Sequence, residues 1–344
     1  MIFQQIFSQQ SGYAMQTSDL NHQQCDLVRH RLLEHRVRPL HSGTSPARSG
    51  TVLVMFESER KFMRAAIAFS LSAHGATMPA IGFGTMELPA QPTELIAAAI
   101  RSGYRHIDTA RKYGTEAYVG EGIRASGIGR QELFVTTKVT ESDAREADFM
   151  CSVETSLATL RLDYVDLLLV HWPQPKVPFS ETLGALAKAK RLGLTRHIGV
   201  SNFTLAMLEE AVSVCPEPLV TNQIEYHAYL PQDRMLATLK KHRMILTAYC
   251  PLARGELLND SVLAAIGKAH GKTVAQVALR WLIQQPMVAA VPRALSENLI
   301  EENLNVFDFT LTEAEMQKIS ALRSKRVRIA DPPERAPKWD FEPI

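Results

Sequence analysis

From residue 65 onward, short apolar runs alternate with stretches whose apolar positions recur every three to four residues. The runs Ile81–Phe83, His106–Ile107, Leu133–Thr137, Val165–Val170, His197–Val200, Val220–Ile224, Ile245–Ala248 and Val288–Val291 predict eight strands. The periodic stretches Thr93–Ser102, Glu116–Ala125, Ala144–Leu160, Ser180–Arg191, Leu205–Val214, Gln232–His242, Val274–Gln284 and Ser296–Leu304 predict a helix after each strand. Ala66–Leu71 and Ala76–Pro79, joined through His74-Gly75, predict a β-hairpin ahead of them. Val165, Leu167, Leu168, Leu169 and Val170 leave no polar face, as expected of a parallel strand buried on both sides. Eight such units predict an α/β fold, a (β/α)8 TIM barrel, with extra helices at Leu257–His270 and Thr312–Leu322 after strands seven and eight. The competing doubly wound sheet needs a Gly-rich turn, yet no G-x-G-x-x-G opens a predicted helix. Gly120-Glu121-Gly122 has only the first spacing and lies within one.

The first 62 residues do not share this pattern. They are rich in glutamine, with one imperfect apolar stripe at Cys25–Val37 and a Gly/Ser/Pro break at His41–Gly50. This predicts a poorly ordered N-terminal extension, 1–62, ahead of a barrel domain, 63–344, with Met55 or Met63 as alternative translation starts. Charge divides at the same place. The extension holds 7 Lys+Arg against 5 Asp+Glu, which accounts for the whole net charge of +2; the rest balances at 31 of each. A neutral barrel argues against partners such as nucleic acid or an anionic membrane. No 18-residue apolar run exists, and the first 20 residues lack the charge and apolar stretch of a secretory signal. Four scattered cysteines without a C-x-x-C pair suggest idle thiols in a reducing cytoplasm. With 46% hydrophobic and 22% charged residues, the chain has the makings of a sizeable core.

In such a barrel, chemistry gathers where the strands end. The polar residues there are Asp108, with Tyr113 in the following loop, then Lys138, His171-Trp172, Ser201-Asn202, Gln223, Glu225 and Tyr249. A lysine ending a buried strand needs a carboxylate, and Asp108 is the nearest candidate. A cation beside a tyrosine favours phenolate and should lower its pKa, while a histidine can hold a substrate oxygen. The set suits proton delivery to a carbonyl oxygen. Side chains cannot donate hydride, so a nicotinamide is implied, on which Tyr249 could stack. Each residue alone has a plainer reading: Asp108 as a helix cap, Lys138 as a snorkelling strand end, Tyr113 as packing. Neither H-E-x-x-H nor paired cysteines suggest a metal.

The segments YRHIDTARKYGTEAYVG, VTTKV, LLLVHWPQP, HIGVSNF and TNQIEYHAYL, in that order, resemble the aldo-keto reductase family. Together with the closing APKWD they are most similar to its bacterial 2,5-diketo-D-gluconate reductases of the B type, over roughly residues 66–340. The resemblance implies Tyr113 as general acid, Lys138 and Asp108 tuning it, and His171 orienting the carbonyl. It further implies NADPH held by Ser201, Asn202, Gln223 and Tyr249, with Arg293 and Asn303 at the adenosine phosphate, and Trp172 and His227 lining the substrate pocket. Implied too is a monomer acting on a small-molecule carbonyl substrate such as 2,5-diketo-D-gluconate or methylglyoxal. Three positions depart from the family's pattern. Ala294 and Leu299 stand where a serine and an arginine usually help hold the phosphate, which leaves NADH use open, and Met86 stands where a tryptophan is common. Two other readings predict different behaviour: a nicotinamide-binding sensor with little turnover, and a lyase using Lys138 as a Schiff base.

Overall fold

The computed structural model describes residues 69–340; the expected extension, 1–62, and its stripe at Cys25–Val37 lie outside the described residues. A hairpin comes first, β1 (Ser70–Ala73) and β2 (Ala76–Pro79), turning at His74 (φ 47°) and Gly75 (φ 84°). Then follow β3 (Phe83–Gly84), β4 (His106–Asp108), β5 (Phe134–Val139), β6 (Val165–Val170), β7 (Thr195–Ser201), β8 (Leu219–Glu225), β9 (Ile245–Tyr249) and β10 (Val288–Ala290). Each pairs in parallel with the next. A parallel bridge between Ile81 and Ala290 joins the two outer strands, supported by Gly82 N donating to Ala290 O and Ala290 N to Ala80 O at 2.9 and 2.8 Å. The sheet therefore closes on itself as the predicted barrel.

Around it lie α1 (Thr93–Arg101), α2 (Glu116–Ser126), α3 (Glu146–Leu160), α4 (Phe179–Arg191), α5 (Leu205–Val214), α6 (Asp233–Lys241), α7 (Ser261–His270), α8 (Val274–Gln284), α9 (Glu297–Leu304) and α10 (Glu313–Ala321). Leu167 and Leu169 point into the barrel, while Val165, Leu168 and Val170 pack with the helix layer. That division is why the run is apolar on both faces apart from Asp166, which pairs with Arg130 and Arg196. Ala73, Ala76 and Met78 of the hairpin join the inner cluster with Phe134, Val220, Ile245 and Ala289, so the hairpin plugs the barrel floor. The opposite end, where the strands finish, is left to chemistry.

The single helix expected at Leu257–His270 is two pieces, a 3-10 stretch Ala253–Asn259 and then α7. Asp260 divides them, because its carboxylate accepts from Val262 N and Leu263 N and so begins a new helix. Cys215 and Cys250 are free thiols, as expected.

Candidate active site

The centre of the site is Lys138 on β5, whose side chain is 0% exposed. A buried ammonium is tolerable only when its protons have acceptors. Nζ donates to Asp108 Oδ1 at 2.6 Å and to Thr109 O at 2.9 Å, and lies 5.1 Å from the centre of the Tyr113 ring. The carboxylate is held from its other side, Gln223 Nε2 donating to Asp108 Oδ2 at 2.7 Å. Asp108 reaches the mouth because it ends β4, and Tyr113 because the chain then makes a 3-10 turn, Arg111–Tyr113, closed by Gly114 at φ 69°. Burial alone would lower the ammonium pKa of Lys138. Asp108 and Tyr113 outweigh it and hold the ammonium pKa above its ordinary value. A lysine held in its charged form has no free amine, which disfavours the Schiff-base reading.

Tyr113 behaves differently from expectation. Burial raises its pKa, Lys138 lowers it and Asp108 raises it again, and the balance is upward. The nearby cation moderates the shift without reversing it, so Tyr113 is a neutral phenol that carries a proton to give. His171 lies edge-on to it, ring centroids 5.6 Å apart and planes at 79°. Burial, then the charges of Lys138, Arg335 and Lys112, hold the imidazole pKa well below its ordinary value. His171 is therefore neutral at pH 7, and a neutral imidazole can hydrogen-bond an oxygen without competing with Tyr113 as acid.

Beside this cluster sits a set of amides and hydroxyls. Ser201 Oγ donates to Gln223 O at 2.8 Å, and Asn202 Nδ2 donates to His171 O at 2.9 Å and to Ser201 Oγ at 3.1 Å. The Tyr249 hydroxyl donates to Asn202 Oδ1 at 2.7 Å, which fixes the phenol ring over the mouth. Asn202 takes φ 63°, a left-handed conformation that asparagine tolerates better than most residues. Amide donors and acceptors beside a pinned aromatic face are the right chemistry for a carboxamide-bearing ring, so the residues fit a nicotinamide. Across the mouth, Arg293 Nη1 donates to Glu87 Oε2 at 2.9 Å and Glu87 O at 3.0 Å, and Asn303 Nδ2 donates to Arg293 O at 3.4 Å. The departures are on the surface there: Leu299 is 41% exposed and Met86 40%.

The two residues expected to line a substrate pocket, Trp172 and His227, are both buried. Trp172 packs edge-on against Trp339, centroids 6.1 Å apart, beneath the Arg335 guanidinium. His227 is wholly buried, with Nε2 on Glu225 Oε1 at 2.9 Å. Arg335, Trp339 and the anchoring use of Glu225 escaped sequence reasoning. Glu225 stood among the strand-end polar residues, but nothing local shows that residues 326–340 fold back onto it.

A buried lysine–aspartate pair beside a tyrosine and a histidine, next to amides that suit a flat amide-bearing ring, points to an oxidoreductase built on a (β/α)8 barrel. Known proteins make the class specific: residues 80–324 match the aldo/keto reductase family, and the chain belongs to it. It is 41% identical over 263 residues to glyoxal reductase of Bacillus subtilis (strain 168), covering 76% of this chain and 94% of that one. It is 39% identical over 267 residues to methylglyoxal reductase DkgB of Escherichia coli O157:H7, covering 76% and 99%. A crystal structure of a candidate 2,5-diketo-D-gluconic acid reductase B superposes with TM-score 0.77 at 45% identity, covering 79% of this chain and 97% of the other. Among the described residues, no helix is long and apolar enough to cross a membrane.

Proposed function

We propose that this oxidoreductase reduces small aldehydes and ketones with NADPH, keto-sugar acids such as 2,5-diketo-D-gluconate and dicarbonyls such as methylglyoxal being the candidate substrates. The observation that carries the reading is the buried Lys138, which donates to Asp108 at 2.6 Å and lies 5.1 Å from the centre of the Tyr113 ring. The names of the relatives, glyoxal and methylglyoxal reductases, support the substrate class. When bound, the nicotinamide supplies hydride. Tyr113 gives its proton to the carbonyl oxygen, and Lys138 stabilises the phenolate that this leaves. Asp108, held by Gln223, keeps Lys138 charged. His171, neutral, hydrogen-bonds the same oxygen and sets its position.

Ser201, Asn202, Gln223 and Tyr249 would hold the nicotinamide end of the cofactor. Arg293 and Asn303 would hold its adenosine phosphate, and Ala294 and Leu299, where a serine and an arginine are usual, leave NADH use open alongside NADPH. Trp172 would wall the substrate site, with His227 behind it. The working form would be a cytoplasmic monomer. Replacing Tyr113 with Phe removes the proton and little else. We expect kcat on methylglyoxal to fall about 10²- to 10⁴-fold, with NADPH affinity by fluorescence titration changed less than ~2-fold. An unchanged kcat would remove Tyr113 as the acid.

A further inference from the structure

Arg293 is the one cation in the stretch 293–299, which also carries the acid Glu297. Its guanidinium is already engaged. Nη1 donates to Glu87 Oε2 at 2.9 Å, to Glu87 O at 3.0 Å and to Met86 O at 3.5 Å. The second carboxylate oxygen, Glu87 Oε1, accepts from Arg254 Nη2 at 3.3 Å. Glu87 follows β3, Arg254 follows β9 and Arg293 follows β10, so one carboxylate joins three strand ends around the mouth. Glu87 takes φ 55°, a left-handed conformation that few residues other than glycine adopt.

The side chains of Glu87, Arg254 and Arg293 are 50%, 49% and 37% exposed, and ion pairs this open to water contribute little to stability. Their consequence is electrostatic. Two guanidinium groups around one carboxylate leave a net charge of +1, whereas a phosphate monoester carries about −1.5 to −2 at pH 7. Any phosphate that accepts from Arg293 shares that guanidinium with Glu87, and two anions around one cation repel each other. A carboxylate that orients a guanidinium could instead assist a phosphate. Here the orienting does not depend on the charge, because the backbone oxygens of Met86 and Glu87 also hold Nη1. Removing the carboxylate charge therefore removes the repulsion and leaves the guanidinium placed.

We propose that Glu87 is a specificity-determining residue, whose carboxylate offsets the charge of Arg293 and so discriminates against the 2′-phosphate that distinguishes NADPH from NADH. This rests on the reading of the site as a nicotinamide-dependent reductase with Arg293 at the adenosine phosphate. Dissociation constants for NADPH and NADH, read from quenching of protein fluorescence, test it without turnover. In Glu87→Gln the side-chain length is kept and an amide oxygen still accepts from Arg293, but the charge is gone. NADPH should then bind about 10-fold more tightly, corresponding to 1.4 kcal/mol, with NADH within ~2-fold of wild type. Glu87→Asp keeps the charge and should hold the ratio of the two constants within ~3-fold of wild type.

A merely structural role for Glu87 would move both constants together. An equal gain for NADH, or no gain for NADPH, in Glu87→Gln would therefore overturn the proposal. Arg293→Ala separates it from the reading beneath it. If that variant loses NADPH affinity and keeps NADH affinity while Glu87→Gln brings no gain, the assignment of Arg293 stands and the role of Glu87 falls. If Arg293→Ala leaves NADPH affinity unchanged, Arg293 does not hold the phosphate and both fall. Failure of the wild type to bind either nucleotide would overturn the cofactor reading, and the role of Glu87 with it.

Discussion

At the scale of single residues, the buried ion pair decides both stability and chemistry. Lys138 and Asp108 are 0% and 4% exposed, so neither charge is compensated by water. Lys138→Met should destabilise the protein by about 3–5 kcal/mol, because Asp108 is left buried with Gln223 as its remaining side-chain partner. Adding Asp108→Asn removes the stranded charge and should recover part of that loss. Urea unfolding at pH 7 measures both, and a double variant no more stable than Lys138→Met would mean that the stranded charge is not the cause. The pair was legible in the sequence, because a lysine at the end of an apolar strand demands a carboxylate and Asp108 ends the neighbouring one. Two things were not. Gln223 reaches Asp108 across 115 residues, a contact that only barrel closure creates. The upward shift of Tyr113 depends on how completely its surroundings exclude water, and spacing along a chain carries no information about desolvation.

At the scale of elements, two helical glycines separate packing from propensity. In α2, a Cβ added at Gly120 would stand 2.0 Å from Leu160 O at the end of α3, so the two helices meet through bare backbone. In α4, a Cβ at Gly184 meets nothing within 4 Å. Alanine is the better helix former by about 0.5–1 kcal/mol, and at Gly184 that gain should appear in full. At Gly120 the overlap forces α2 away from α3, and overpacking of about 1–3 kcal/mol should outweigh the gain. Thermal unfolding should therefore rise for Gly184→Ala and fall for Gly120→Ala; a rise in both would show that α2 can shift freely. Periodicity located these helices but could not tell the two glycines apart, because the difference lies in a neighbour 40 residues away. The split at Asp260 shows the same limit: the apolar pattern ran on through 257–270, while one capping carboxylate divided it.

For the whole molecule, eight repeats read from hydrophobicity sufficed to predict the barrel, since a parallel strand buried on both faces leaves a distinctive run. The segment 326–340 had no such signature, because an irregular segment is placed by its anchors, here Glu225 and Leu205 N, and not by its own periodicity. The same burial that closes the barrel also sets how it responds to acid. His106 lies wholly inside, Nε2 on Thr136 Oγ1 at 3.0 Å, and burial, eased by Asp108 and reinforced by Lys138, lowers its pKa to about 4. Its folded pKa thus lies below the value of 6.5 in the unfolded chain. Between pH 6.5 and about 4 the unfolded chain takes up a proton that the folded one refuses, so stability falls as pH falls through that window and is unaffected above it. The gap corresponds to about 3 kcal/mol at its full extent. His171, also depressed by burial, adds in the same direction. Glu225 acts lower: its depressed pKa contributes stability that is present above about 4.5 and lost as pH falls through its folded value. Urea unfolding from pH 8 to 5 should therefore show a flat region and then a decline that begins near 6.5. His106→Phe should start lower at pH 8, having lost Thr136, yet decline less steeply between pH 6.5 and 5. If the variant and wild-type curves run parallel through that interval, the acid sensitivity does not originate in the buried imidazole of the barrel.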